Sequence, residues 1–191
     1  YTQLKRNKVL QPRRGWMLAA VDGHEIGCCE ARCCEHCCQR EIKTKTGAKT
    51  QFCHRVVTLQ LLAKDFDLEL DVESVLLGED KVAAVERLIR RVLEQHPLCF
   101  DVLTTDAIYL RPSVINLVQE HNKHLITVLK ENQPELLGGA RTLLAREEPK
   151  VVCQDAKCEI EHRELDGFRT ENIPSRCAWC IPMNISEFAN R

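Results

Sequence analysis

Aromatic side chains are scarce in this chain: 2 Trp, 2 Tyr and 5 Phe make up 5% of its 191 residues. So few flat rings argue against binding built on base stacking. No apolar run approaches the roughly 20 residues a helix needs to cross a bilayer, and no signal-peptide pattern opens the chain. The expectation is therefore a cytoplasmic protein with no membrane partner. Charge of one sign is also lacking, since 27 Lys and Arg face 28 Asp and Glu for a net charge of −1. That balance gives no global field attracting nucleic acid, so such contacts have to come from local patches. An initiating Met is missing too. Opening on Tyr1, the chain reads as incomplete at its start.

What is present suffices for a core. Hydrophobic residues make up 44% of the chain, enough for one domain with an appendage. Cysteine is abundant, with 12 residues, six of them within residues 28–38. Without a secretory signal, reduced thiols or metal ligands are favoured over a disulfide framework.

Residues 1–15 are basic and polar, with Lys5, Arg6, Lys8, Arg13 and Arg14, and read as a solvated lead-in. Residues 16–21 form a short apolar run ending at Asp22-Gly23, a buried strand followed by a turn. Residues 41–45 and 51–62 flank Thr46-Gly47-Ala48 as a hairpin. Residues 68–73 alternate strictly, which predicts a strand with Glu69, Asp71 and Glu73 on one wet face.

Gly78, Glu79 and Asp80 then introduce a helix whose buried stripe is Val82, Val85, Leu88, Ile89 and Val92, stopped at His96-Pro97. A strand over 100–105 ends at Asp106. Pro112 opens a helix carrying Val114, Ile115, Leu117 and Val118. Residues 125–129 read as an interior strand, and Pro134 opens a last helix that ends before Pro149. Strands first, then alternating helices and strands, suit an α/β fold with a mixed sheet flanked by helices. The pattern changes near residue 150. This divides the chain into a lead-in (1–15), a core (16–149) and a short-stranded tail (150–191).

Two acids stand out. Asp22 and Asp106 each follow an apolar strand, and if those strands are parallel neighbours their ends lie about 4.8 Å apart. Carboxylates so placed can share Mg2+ or Mn2+, hard cations that bind phosphate oxygens. An Asp after a strand also commonly caps a turn, and both readings stand at this point.

Within the cysteine-rich segment, Cys34-x2-Cys37 has the spacing for two thiolates on one structural Zn2+. Partners are open among Cys33, Cys38, His36 and Cys53, and the plain alternative is a surface loop of thiols holding no metal. Cys177 and Cys180 repeat the spacing nearer the end.

Several stretches together resemble insertion-sequence transposases of the DDE class. They are Ala20-Val21-Asp22-Gly23-His24-Glu25, Gln51-Phe52-Cys53-His54-Arg55-Val56-Val57, Leu70-Asp71-Val72-Glu73 with Gly78-Glu79-Asp80, and Phe100-Asp101-Val102-Leu103-Thr104-Thr105-Asp106-Ala107-Ile108-Tyr109. His121-Asn122-Lys123-His124-Leu125-Ile126-Thr127-Val128-Leu129-Lys130 belongs to the same resemblance, which spans roughly residues 5–170 in consistent order.

The resemblance implies a ribonuclease-H-like core and Mg2+-dependent hydrolysis and strand transfer. It also implies DNA partners (terminal inverted repeats and target) and a homodimer on DNA. Asp22 and Asp106 match the first two catalytic acids. The family's third acid, a Glu in a Tyr-x2-Arg-x3-Glu context, has no counterpart, because neither Tyr1 nor Tyr109 begins that pattern. Residues 150–180 look like the start of a β-rich insertion, and the last residues depart from the family. The expectation is a truncated, frameshifted or decayed chain, incomplete and inactive.

Expected DNA contacts are Arg6, Arg13 and Arg14 in the lead-in, Lys43 and Lys45 on the hairpin, and Lys130 after the last apolar strand. Two alternatives accompany this reading: a non-catalytic, zinc-stabilised DNA-binding or interaction module of the same fold, and another nuclease of that fold such as a resolvase.

Overall fold

The computed structural model describes residues 1–32, 34–45, 47–155, 158–165 and 179–184. The chain has a mixed α/β fold divided into two compact units, Tyr1–Thr127 and Val128–Arg191. The change of pattern near 150 suggested a later boundary. The grouping after Thr127 assigns the helix that follows to the second unit. Among the described residues, no helix is long and apolar enough to cross a membrane.

The first unit runs α1 (Thr2–Arg6), β1 (Leu18–Cys29), β2 (Cys38–Thr44), β3 (Gly47–Leu62), β4 (Asp67–Ser74), α2 (Lys81–Gln95), β5 (Val102–Thr105), α3 (Pro112–Glu120) and β6 (His124–Thr127). Its mixed sheet has the order β2-β3-β1-β5-β6, with β4 also paired to β3. β3 is long enough to serve two neighbours on one edge. β2 pairs with its residues from Gly47 to Cys53, and β4 with those from Val56 to Leu62. The opposite edge of β3 is antiparallel to β1, and β1 in turn is parallel to β5.

Alternation along these strands builds the core. Ala19 and Val21 on β1 stand in register with Leu61 and Leu59 on β3, and all four are buried. Ala19 is also in register with the buried Leu103 on β5. Onto this layer α2 places Val82, Val85, Leu88, Ile89 and Val92, the stripe expected from their spacing. α2 packs on β3, β4 and α3, and α3 packs on β6. The turn into α2 needs Gly78, whose φ of +76° suits glycine, and Asp80 caps the helix by accepting from the Val82 N–H at 3.2 Å.

The turn expected at Asp22-Gly23 is instead continuous strand, since β1 runs on to Cys29, and three further local expectations change. The alternation over 68–73 does not hold one face, because Leu59 pairs with Asp71 while Gln60 pairs with Glu69, leaving Leu70 as an extra residue. This bulge reverses the facing. Glu69 points to solvent, whereas Asp71 and Glu73 turn toward α2 and meet Arg91 and Arg87.

The lead-in is docked rather than solvated. Tyr1 Oη donates to the Leu98 carbonyl at 3.1 Å, Lys64 N–H donates to the Gln11 carbonyl at 2.9 Å, and Leu10 is buried. β6 pairs only with β5 among the described strands, and its Ile126 is exposed, so the apolar run read as interior lies at a sheet edge.

The second unit contains α4 (Pro134–Leu144) and a three-stranded antiparallel sheet, β7 (Val151–Asp155), β8 (Cys158–Leu165) and β9 (Trp179–Asn184), in the order β7-β8-β9. Arg163 of β8 donates to the carbonyls of Leu144 and Glu147, tying the sheet to the end of α4.

Candidate functional site

Two places in the first unit gather chemistry. The first lies where β1 and β5 run side by side. Their parallel register passes from Leu18 and Val102 to Val21 and Thr105. It is held at its start by Asp101, whose carboxylate accepts from the Met17 N–H at 2.8 Å. The next residue along the chain is Asp22 after Val21 and Asp106 after Thr105. The strands expected to be neighbours are therefore parallel neighbours, and each acid follows one step past their last pair, Val21 and Thr105.

β1 continues against β3, while the chain after Thr105 turns into a 3-10 turn over Ala107–Tyr109. Both acids are exposed. Asp22 Oδ1 accepts its neighbour Gly23's N–H at 2.7 Å. The Asp106 carbonyl accepts from Tyr109 N–H at 3.0 Å and Thr127 Oγ1 at 3.3 Å.

Behind the acids stands Tyr109, buried to 1% exposure. Its hydroxyl lies 2.7 Å from where a Cβ on Gly23 would stand, so a glycine is needed there to admit the phenol. Burial, then the charges of Asp22, Asp106 and Asp80, push the phenol up to about 12. One phenol thus feels three carboxylates. Lys81 completes the surroundings, with its Nζ 3.3 Å from the same Cβ position.

In the sequence Asp80 reads as an acid at a helix start and Tyr109 falls within a stretch of the resemblance, but neither reads as part of this site, and Lys81 is not distinguished at all. No spacing rule ties them to Asp22, because only the folded chain brings the start of α2 and the turn holding Tyr109 beside Gly23. Asp22, Asp80 and Asp106 do not form a set with oxygens all within 4.8 Å of one another among the described residues.

The second place is where the loop between β1 and β2 meets the middle of β3. Cys34 Sγ and Cys37 Sγ are 3.7 Å apart, and His54 Nε2 lies 3.5 Å from the first and 3.6 Å from the second. The Cys37 N–H donates to the Cys34 carbonyl at 3.3 Å, closing the turn between the thiols. Arg32 holds the same loop by donating to the carbonyls of Cys34 at 3.0 Å and Glu35 at 2.6 Å. Cys37 is buried and Cys34 faces solvent.

His54 sits where β3 changes partners, between Cys53, the last residue paired to β2, and Val56, the first paired to β4. In the sequence it stands only within the stretch 51–57 of the resemblance and not among the partners open to Cys34 and Cys37. Pairing β2 with β3 is what carries it to Cys37.

Glu25, Cys28 and Cys53 form a second close set. Glu25 already pairs with Arg40 and, at 3.1 Å, with Arg55. Burial, then Glu25, raises the Cys53 thiol. Both sets have the make-up and spacing of metal-binding clusters consistent with zinc.

The other expected residues lie apart from these two places. Arg13 Nε donates to the Ala63 carbonyl at 2.9 Å, with Asp67 at 3.8 Å, so it fastens the lead-in. Arg6 and Arg14 are exposed, as are Lys43 and Lys45 on β2 and its turn. Lys130 is exposed and belongs to the second unit. Cys33 and Cys177 lie outside the described residues. Comparison with known proteins gave no match, either to a family model or to a curated protein.

Proposed function

We propose that the chain is the front part of a ribonuclease-H-like domain of the DDE transposase type, with Asp22 and Asp106 as carboxylates that hold Mg2+ or Mn2+ for phosphodiester hydrolysis and strand transfer. One observation carries the reading: Asp22 and Asp106 follow the last register pair of two parallel strands, Val21 and Thr105. An antiparallel group of strands followed by two parallel strands with helical connections is also what that core requires.

The residues fit a hard cation. Two exposed carboxylates, Asp22 within β1 and Asp106 just after β5, present oxygen ligands without a desolvation cost, and a divalent ion between them would offset their like charge. Such an ion, when bound, supplies Lewis-acid polarisation of a phosphodiester and an activated hydroxyl. The chain's part is positioning. The register of β1 and β5 brings the residues just before the carboxylates side by side, Tyr109 stays protonated as a neutral wall behind them, and Lys81 offers an ammonium to a phosphate oxygen.

The third acid of the resemblance is absent. Asp80 shares the surroundings but spends its carboxylate capping α2. The proposed DNA partners (element ends and target) and a dimer on DNA follow the same reading. Binding through the family fold with little or no cleavage is the expected state of this chain.

The test is therefore ion binding rather than turnover. Mn2+ titrated into the zinc-saturated chain, followed by water proton relaxation, binds the unmodified protein. Asp22→Asn and Asp106→Asn each weaken that binding by about tenfold or more. Equal Mn2+ affinity in all three proteins would remove the basis of the proposal.

A second reading, a non-catalytic zinc-stabilised DNA-binding or interaction module, is favoured by the Cys34, Cys37 and His54 geometry. Retained zinc together with absent Mn2+ binding would select it.

A further inference from the structure

We propose that one structural Zn2+ ion binds Cys34 Sγ, Cys37 Sγ and His54 Nε2, fastening the loop after β1 onto the middle of β3. The inference stands on the sulfur–nitrogen geometry alone and is independent of any role for Asp22 and Asp106.

The distances carry it. A tetrahedral ion with Zn–S near 2.3 Å and Zn–N near 2.05 Å needs sulfurs about 3.8 Å apart and each sulfur about 3.6 Å from the nitrogen. The observed separations are 3.7, 3.5 and 3.6 Å. All three edges of one tetrahedral face are met at once, by atoms from two segments of chain. A disulfide would bring the sulfurs to about 2.05 Å, far inside the observed spacing. Two thiolates and an imidazole select zinc over the hard cations expected at a carboxylate pair.

The location supports a fastening role. Strand β3 has two residues, His54 and Arg55, between its β2 and β4 partners, and the cysteine loop folds back onto that seam. Cys37 is buried, which places one ligand under the loop, while Cys34 closes it from the solvent side. Three corners of the tetrahedron come from these side chains, and the fourth takes water.

The neighbouring set of Glu25, Cys28 and Cys53 is a poorer host. Its carboxylate is occupied by Arg40 and Arg55, whose positive charges oppose a cation. Zinc is therefore assigned to the first set only.

The experiment uses the full chain purified under reductant without chelator, with elemental analysis and Co2+ replacement. About one zinc per chain is expected, and the Co2+ form should show tetrahedral d–d bands with thiolate charge transfer. Cys37→Ser and His54→Ala each lower zinc occupancy at micromolar metal by about tenfold or more, whereas Cys28→Ser and Asp22→Asn leave it unchanged.

Three results would overturn the assignment. One is a folded, reduced chain that neither carries nor takes up zinc. Another is loss of zinc in Cys28→Ser with retention in Cys37→Ser, and the third is a reductant-sensitive loss of two mass units locating a Cys34–Cys37 disulfide. Should a ligand variant fail to fold, the Co2+ spectrum of the unmodified chain still decides between tetrahedral thiolate ligation and none.

Discussion

Gly23 shows how much a single residue can be constrained by a partner far away in sequence. It is not a turn glycine, although Asp22-Gly23 reads as a turn, since β1 runs straight through it to Cys29. Its role is to leave room for the Tyr109 hydroxyl, 2.7 Å from the absent Cβ. A buried, rigid ring cannot swing away as a lysine tip can. Gly23→Ala is therefore expected to cost about 1–3 kcal/mol in urea unfolding. Adding Tyr109→Phe, which deletes the colliding oxygen, recovers most of the loss. A double variant no more stable than Gly23→Ala alone would show that the collision is not the cause. The glycine was legible in the sequence and its reason was not, because the 3-10 turn that delivers Tyr109 follows β5.

Among the elements, α2 was the most readable and β4 the least. Five apolar positions at helical spacing have one solution, a buried stripe, and the structure has it. The alternating strand has two, because a single inserted residue exchanges its faces. The Leu70 bulge turns Asp71 and Glu73 toward α2, where Arg91 donates to Asp71 at 2.8 Å and also pairs with Glu73. Arg87 joins Glu73 at 3.2 Å and also pairs with Glu79.

Those hydrogen bonds, Arg91 on Asp71 and Arg87 on Glu79, hold both carboxyls below their ordinary range. Acids with depressed values stabilise the fold above the unfolded range near pH 4, and this contribution is lost as pH falls through the lower folded values. Arg91→Met should thus destabilise at neutral pH by about 0.5–1.5 kcal/mol, discounted because the guanidinium is partly exposed. The gap from the unmodified chain should close on acidification. A gap that is the same at pH 7 and pH 2.5 in thermal melts would assign the effect to packing instead.

At the scale of the whole molecule, the order of elements was readable and their lateral arrangement was only partly so. Apolar strands ending in Asp22 and Asp106 suggested neighbours, and the parallel register supplies them. The meeting of Cys34 and Cys37 with His54 was not readable, because it depends on which part of β3 each hairpin partner covers. The interior placement expected for 125–129 failed because an apolar run does not reveal whether a strand is paired on one side or two.

The double use of β3 has a dynamic consequence. β2 and β4 meet end to end along one edge rather than lying side by side, so no β2 hydrogen bond depends on β4. The β2 hairpin can open as a unit while the sheet beneath α2 stays closed. Amide deuteration should report two separate rates along this single edge, faster for the β2 partners of residues 47–53 and slower for the β4 partners of residues 56–62. Removing zinc should quicken the first and leave the second alone.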